Sequence, residues 1–277
     1  MTPLGSRLPN IVMERFPISG DVQVDLPEGH TLVFRTDGRD AIASRMYWRG
    51  IMAHEPETIE LFTRLVPSVD VVLDVGASTG LFALVASVMN PKVTVHAFEP
   101  IPETYDFLVE NISVNGLRSI QPVKACITNY NGHIFVYPNR TPILPFQAST
   151  RKDYQSRMTP REVPSLALTL DSYVADQHIE NVGLLKIDAE ASDHTVLEGA
   201  KRILDRDRPY IICEVLYTDT DHLIQGFFKG TDYRYFRISN EGLKPMTEVL
   251  GDSDYMYRNY LFVHESQMDS LEGLITK

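Results

Sequence analysis

Two cysteines, one tryptophan and no apolar run of eighteen residues are what 277 residues offer by way of absence. The two thiols, Cys126 and Cys213, are too few for a disulfide framework, and no spacing around them resembles a zinc site. Each sits in an apolar, strand-like run (VKACI and YIICEV), where a buried free thiol is the plain reading. Without a long apolar run there is no candidate membrane-spanning helix. The opening stretch MTPLGSRLPNIVMERF lacks the continuous apolar core of a signal peptide, so a cytoplasmic, reducing location is expected. Basic residues are scarce as well: 26 Lys and Arg against 37 Asp and Glu leave a formal charge of −11. A surface of that sign argues against a nucleic-acid backbone or an anionic membrane as partner.

Hydrophobic residues make up 43% of the chain, enough for a sizeable core. Residues 1–68 are broken by Pro3, Pro9, Pro17 and Pro27 and by Gly5, Gly20 and Gly29, which leaves short strand-like pieces at Val22–Val24 and Thr31–Phe34. From Asp40 the spacing turns helical, with Ile42, Met46 and Ile51, then Ile59, Leu61, Phe62 and Leu65. This segment reads as an N-terminal cap or lid, and residues 69–277 as the main domain.

The main domain alternates. Strands are predicted at Val71–Val75, Val93–Phe98, Ile120–Ile127, Leu184–Asp188, Tyr210–Val215, Arg234–Ile238 and Tyr260–His264. Helices fall between them at Leu81–Met89, around Tyr105, Leu108, Val109 and Ile112, and at His194–Leu204. The implied fold is α/β, a doubly wound, mostly parallel seven-stranded sheet with helices on both faces. Residues 138–165 interrupt the rhythm with five prolines, and their Asn139, Arg140, Gln147 and Ser149 make them a candidate substrate cover.

The run Asp74-Val-Gly-Ala-Ser-Thr-Gly80 lies where the first main-domain strand meets its helix, the place where such sheets bind ligands. Gly76 and Gly80 let the backbone approach a ligand closely, Ala77 and Ser78 complete the turn, and Asp74 anchors it or accepts from a ligand's ammonium. Glu99, followed by Pro100, stands 25 positions after Asp74 at the next strand end, placed to accept from a ribose diol. The loop has G-x-x-x-G where a dinucleotide fingerprint has G-x-G-x-x-G, so a nicotinamide enzyme is the weaker alternative. An adenosine carrying a zwitterionic tail and a sulfonium suits this acidic site better. The plainer alternative is that the glycines only tighten the turn.

These stretches resemble the FkbM-like methyltransferases. Val72-Leu-Asp-Val-Gly-Ala-Ser-Thr-Gly80 is similar to the family's S-adenosylmethionine (SAM) loop, and His96-Ala-Phe-Glu-Pro100 to its ribose-binding strand end. Leu168-Thr-Leu-Asp-Ser172, Leu185-Lys-Ile-Asp-Ala-Glu190 with Val196-Leu-Glu-Gly-Ala200, and Arg208-Pro-Tyr-Ile-Ile-Cys-Glu214 complete a match over roughly residues 40–216. The resemblance implies a class I, Rossmann-like SAM methyltransferase acting on a hydroxyl of a sugar or natural product, with Cys126 and Ile127 flanking the adenine. Two departures stand out. Ser78 replaces a usual Asn, and Ala191-Ser192-Asp193 replaces a Gly followed two residues on by Glu.

For the chemistry, Asp188, Glu190 and His194 are the candidate bases, at the end of the fourth main-domain strand and the start of the next helix. Asp188, Glu190 and Glu214 could instead hold Mg²⁺, since an all-oxygen set suits that ion. The third alternative leaves these acids to bind acceptor hydroxyls, cap the helix (Asp193) or pair with Lys186 and Arg208. Lys186 either reaches the crevice and pairs with Glu190 or lies at an edge. Trp48 and Glu55 are lid candidates over cofactor and substrate. N- or C-methylation and a SAM-binding protein without catalysis stay open, as does a homo-oligomer.

Overall fold

The computed structural model describes residues 16, 18–138, 148–152 and 161–275. Alternation builds its first element: Val22 and Val24 of β1 (Ser19–Asp25) and Leu32 and Phe34 of β2 (Thr31–Asp37) are buried while their neighbours are not, and the strands pair antiparallel. Next comes α1 (Ala41–Arg49), whose N-cap Asp40 accepts from the Ala43 amide at 2.9 Å. Then follows α2 (Pro56–Leu65), with proline in its first turn.

The β-branched runs make the central sheet. β3 (Val71–Val75), α3 (Leu81–Met89), β4 (Thr94–Phe98), α4 (Pro102–Val114) and β5 (Ile120–Val123) follow as the sequence predicts. The predicted third strand is, however, split, because the chain leaves the sheet after Val123 and re-forms as β6 (Cys126–Ile127). With β7 (Gly132–Pro138), β8 (Ala148–Ser149) and β9 (Val163–Leu168), β6 belongs to a second, four-stranded sheet ordered β6-β9-β7-β8. Further on come α5 (Leu170–Asp176), β10 (Val182–Ile187), α6 (Asp193–Glu198), α7 (Lys201–Asp207), β11 (Tyr210–Glu214) and α8 (Asp221–Phe228). A predicted single helix is thus two, parted at Gly199-Ala200, where a Cβ on Gly199 would lie 2.2 Å from the Thr128 carbonyl oxygen. β12 (Tyr233–Ser239), β13 (Gly242–Met246) and β14 (Asn259–His264) close the sheet.

Its order is β13-β12-β14-β11-β10-β3-β4-β5, with β5, β4, β3, β10 and β11 mutually parallel and antiparallel pairing beyond β11. Seven of the eight strands lie in the predicted segments. The eighth, β13, is an edge strand carrying Lys244 and Pro245, which a sheet tolerates only at its border. The chain runs outward from β3 to β5 and returns to the other side at β10, so the switch point lies between β3 and β10.

Strand alternation splits the core in two. Val72, Val95, Leu184, Ile212 and Leu261 pack with α2, α3, α4 and the β1–β2 hairpin. Leu73, Val75, Leu185, Ile187, Ile211 and Phe262 pack with α5, α6, α7 and α8 on the opposite face. The hairpin therefore shares a core with the sheet, and two side chains, one on α4 and one at its C-cap, fasten it. Asn115 accepts from the Val33 amide at 2.8 Å and donates to the Val33 carbonyl at 2.7 Å. Asn111 accepts from the Arg35 amide at 2.7 Å and donates to the Thr79 carbonyl in the glycine loop at 2.9 Å. No helix of the described residues is long and apolar enough to cross a membrane.

Candidate functional site

The loop after β3 is held to β4 by its own backbone, with the Gly76 and Ala77 amides donating to the Phe98 carbonyl at 3.0 and 2.9 Å. Gly76 takes a φ of 79°, and a Cβ there would lie 1.9 Å from the Asp188 carbonyl oxygen, so only glycine fits. Gly80, at φ 102°, starts α3. Ser78 holds a left-handed φ of 51°, a region in which asparagine is more at home than serine, and its buried Oγ has no hydrogen-bond partner among the described residues.

Glu99 meets this loop directly. Its Oε2 accepts from the Ser78 amide at 3.0 Å and its Oε1 from the Ile101 amide at 2.8 Å. Burial pushes the Glu99 carboxyl up to about 7, against the pull of those two amides. Glu99 and Gly76 line one cleft together with Pro100, Cys126, Ile127, Asp188 and Glu190. Phe98, Val136, Ala148 and Thr150 complete its walls, so the small second sheet forms one side. The Cys126 thiol is raised by burial to about 12 and is a neutral part of that wall.

Asp74 lies elsewhere. It sits opposite Lys186 in the β3–β10 register and projects toward the α3 face, away from the cleft. It is buried, its carboxyl is raised to about 7 by desolvation, and Oδ2 has no hydrogen-bond partner among the described residues. Lys186 is 1% exposed, with Nζ 3.4 Å from Asp188 Oδ2 and 4.9 Å from the centre of the Phe82 ring. Its partner is thus Asp188, where the sequence offered Glu190 or an edge position. Asp188, Glu55, Asp74 and Glu214 all favour its protonated form against burial.

Glu190 and Ala191 take consecutive left-handed conformations, φ 46° and 68°, at the point where the resemblance expects glycine. Ser192 Oγ lies 2.6 Å from Thr150 Oγ1 and 3.4 Å from Ser149 Oγ, which ties the turn to the small sheet. Asp193 is buried and accepts from the Ala189 amide at 2.9 Å, and burial raises its carboxyl to about 7. His194 leaves this group: it lines a separate cavity with Glu198, Lys201, Arg208 and Tyr233, because the first turn of α6 carries its side chain outward. Glu214 pairs with Arg258 at 2.7 Å, and among the described residues no three His, Cys, Asp or Glu side chains converge to hold a metal ion. Mg²⁺ coordination by Asp188, Glu190 and Glu214 is therefore not supported.

From the N-terminal segment, Glu55 reaches the end of the sheet, where its Oε2 accepts from Asn259 Nδ2 at 3.0 Å. Trp48 stands edge-on to Tyr47 at 5.1 Å, with Nε1 buried and unpartnered among the described residues, and it does not line the cleft. Of the expected substrate-covering loop 138–165, Asn139, Arg140 and Gln147 lie outside the described residues, whereas Ser149 is buried in β8. Sequence spacing alone places a short strand at Ile134–Tyr137, within β7, but does not single out His54, Arg258, Asn259 or β9. A lone histidine and a strand containing Pro164 carry little local signal.

A model of the methyltransferase FkbM domain matches residues 74–235. The chain is 32% identical over 167 residues to the 31-O-demethyl-FK506 methyltransferase FkbM of Streptomyces tacrolimicus, covering 51% of this chain and 62% of that protein. It is 27% identical over 161 residues to the hexuronic acid methyltransferase AglP of Haloferax volcanii, covering 58% of this chain and 62% of that protein. The match thus spans about three-fifths of the length of these relatives. Among solved structures, an FkbM methyltransferase from Methylobacillus flagellatus KT aligns with 80% of this chain and 54% of its own, at 14% identity and a TM-score of 0.48.

Proposed function

The chain belongs to the FkbM methyltransferase family, and on that premise we propose that it transfers a methyl group from SAM to a hydroxyl of a small molecule. One observation carries the reading: the glycine turn and the Glu99 carboxylate meet at the carboxyl edge of β3 and β4, bonded through Ser78 at 3.0 Å. Each Glu99 oxygen holds one backbone amide and keeps a further lone pair, the two acceptors a ribose diol needs. The apolar wall of Phe98, Cys126, Ile127 and Val136 suits an adenine ring. Residues 76–80 would hold the amino-acid end. The acids at the cleft, Glu99, Asp188 and Glu190, suit a ligand bearing a sulfonium and an ammonium.

When bound, SAM supplies a methyl group on an excellent leaving group. The chain's own task is then to hold the acceptor in line and to take up a proton. Asp188 and Glu190 border the cleft beside Gly76 and are the groups we assign to acceptor binding. The N-terminal segment, whose Glu55 docks on the end of β14, serves as the cover. A sugar or natural-product alcohol is the acceptor class we infer, in keeping with the names of the two relatives. Calorimetry with S-adenosylhomocysteine (SAH) and with NAD tests the cofactor. SAH should bind and NAD should not, and tight NAD binding without SAH binding would discard the reading.

A further inference from the structure

A closed circuit of links surrounds the cleft. The Gly76 amide donates to the Phe98 carbonyl, next to Glu99, and the Asp188 amide to the Val75 carbonyl, each at 3.0 Å. Beyond Asp188 the chain bends at residues 189–192, where the Ser192 amide donates to the Ala189 carbonyl at 3.1 Å. Ser192 Oγ and Thr150 Oγ1 lie 2.6 Å apart and join this bend to the small sheet. Thr150 follows Ser149, the partner of Tyr137, so it stands beside Val136 of β7. From β7 the circuit passes through β9 to Cys126 and Ile127 of β6. The Glu99 amide, donating to the Val123 carbonyl at 3.1 Å just ahead of β6, completes it. Thr150 and Ser192 are thus across the cleft from Glu99, with one arc on either side.

The two arcs differ in chemistry. One passes Gly76, Asp188 and Glu190, and its carboxylates accept hydrogen bonds without donating any. The other is Phe98, Cys126, Ile127, Val136 and Ala148, an apolar slot whose thiol is turned to the Ile127 carbonyl at 3.9 Å. At the end of this slot stands Thr150, whose hydroxyl both donates and accepts. Ser192 is the N-cap residue of α6, where a serine side chain ordinarily accepts from the helix's own amides, yet it makes no such bond. It is 1% exposed, and its hydroxyl meets Thr150 instead. A purine laid along the apolar arc with its ribose at Glu99 has its 6-amino group at the opposite end of the base, where Thr150 lies.

We propose that Thr150 reads the base of the methyl donor, an inference that rests on the methyl-transfer reading above. Thr150 Oγ1 accepts from the adenine 6-amino group and donates its own proton to Ser192 Oγ. Ser192 in turn faces Ser149 Oγ at 3.4 Å, which also accepts from the Arg151 amide at 3.1 Å. The small sheet is then more than a wall. It supplies the hydrogen bond that distinguishes adenine from a purine lacking the amino group.

Calorimetry on the full chain provides the test, with SAH and its desamino analogue, in which hydrogen replaces the 6-amino group. The wild type should bind SAH about 3- to 10-fold more tightly than the analogue, the worth of one neutral hydrogen bond. Thr150→Val keeps the shape of the side chain and should erase that preference. It should weaken SAH by the same factor and leave the affinity for the analogue unchanged. Thr150→Ser, which restores the hydroxyl, should restore the preference. A merely structural role would weaken both ligands alike in Thr150→Val, and that outcome overturns the proposal, as does an undiminished preference. Should the valine variant fail to fold, Thr150→Ala takes its place, and equal wild-type affinities overturn the proposal without any variant. A wild type that binds neither SAH nor the analogue defeats the methyl-transfer reading instead.

Discussion

Gly76 and Asp188 touch across the switch point: a side chain at 76 would begin 1.9 Å from the Asp188 carbonyl oxygen. The glycine turn and the end of β10, to which we assign cofactor and acceptor, are therefore one rigid contact. Gly76→Ala has to move backbone on one side and holds alanine at a φ of 79° on the other. We expect a stability loss of about 2–4 kcal/mol by thermal or urea unfolding and no measurable SAH binding. Retention of wild-type affinity would show that the ligand lies away from this turn.

Glu99→Ala removes both acceptors offered to a ribose and leaves the Ser78 and Ile101 amides without their partner. SAH affinity should weaken by about 1–3 kcal/mol, read by calorimetry. Glu99→Gln should fall between wild type and alanine, since one acceptor oxygen remains. An unchanged dissociation constant in the alanine variant would mean the wrong acid has been named.

Lys186 is a buried cation among Asp74, Asp188, Glu55 and Glu214. Lys186→Met keeps the volume but strips the charge from that group. The expected cost is about 3 kcal/mol in urea unfolding, at the low end for a broken buried pair because Asp188 is 27% exposed. A variant as stable as wild type would indicate that water already neutralises these acids.

The pH dependence of the ligand-free protein has a definite sign. Asp74, Glu99 and Asp193 are all raised by burial to about 7, so the folded state holds protons that the unfolded carboxylates have lost. Their contribution is present in full below the unfolded carboxylate range and is lost as pH rises through about 7. Burial lowers His54 and His96, which act in the opposite sense but only below their ordinary 6.5. Glu214 and Asp40, also raised by burial, act in the same sense as Asp74, so the melting temperature should fall between about pH 6.5 and 8, and Asp74→Asn should make that fall shallower. A melting temperature that rises over the same interval contradicts these assignments.

The unit from Val71 to Val123 was legible because apolar runs of strand length end at unambiguous punctuation, Gly76, Glu99-Pro100 and Asn115-Gly116. Meeting of the glycine turn with Glu99 follows from that register alone. Other features depend on pairing partners far along the chain. β9 contains Pro164, β13 contains Pro245, and neither shows clean alternation, so only their neighbours in space identify them as strands. The direction of Lys186 follows from whether Leu185 or Lys186 faces α3, a choice that an apolar strand buried on both sides does not reveal. His194 looked as well placed as Asp188 by sequence distance, yet the left-handed pair Glu190 and Ala191 swings the following turn away. The seat of Glu55 rests on a bond to Asn259, 204 positions away, which no local spacing reveals.

Asn111 reads two strangers at once, a hairpin edge at Arg35 and the loop carbonyl of Thr79. Swapping this amide for an aliphatic side chain would unhook both, so damage inflicted at residues 31–37 should surface as looser grip on a nucleoside far from the injury. Anyone trimming this chain to residues 69–277 would discard a brace along with the ornament.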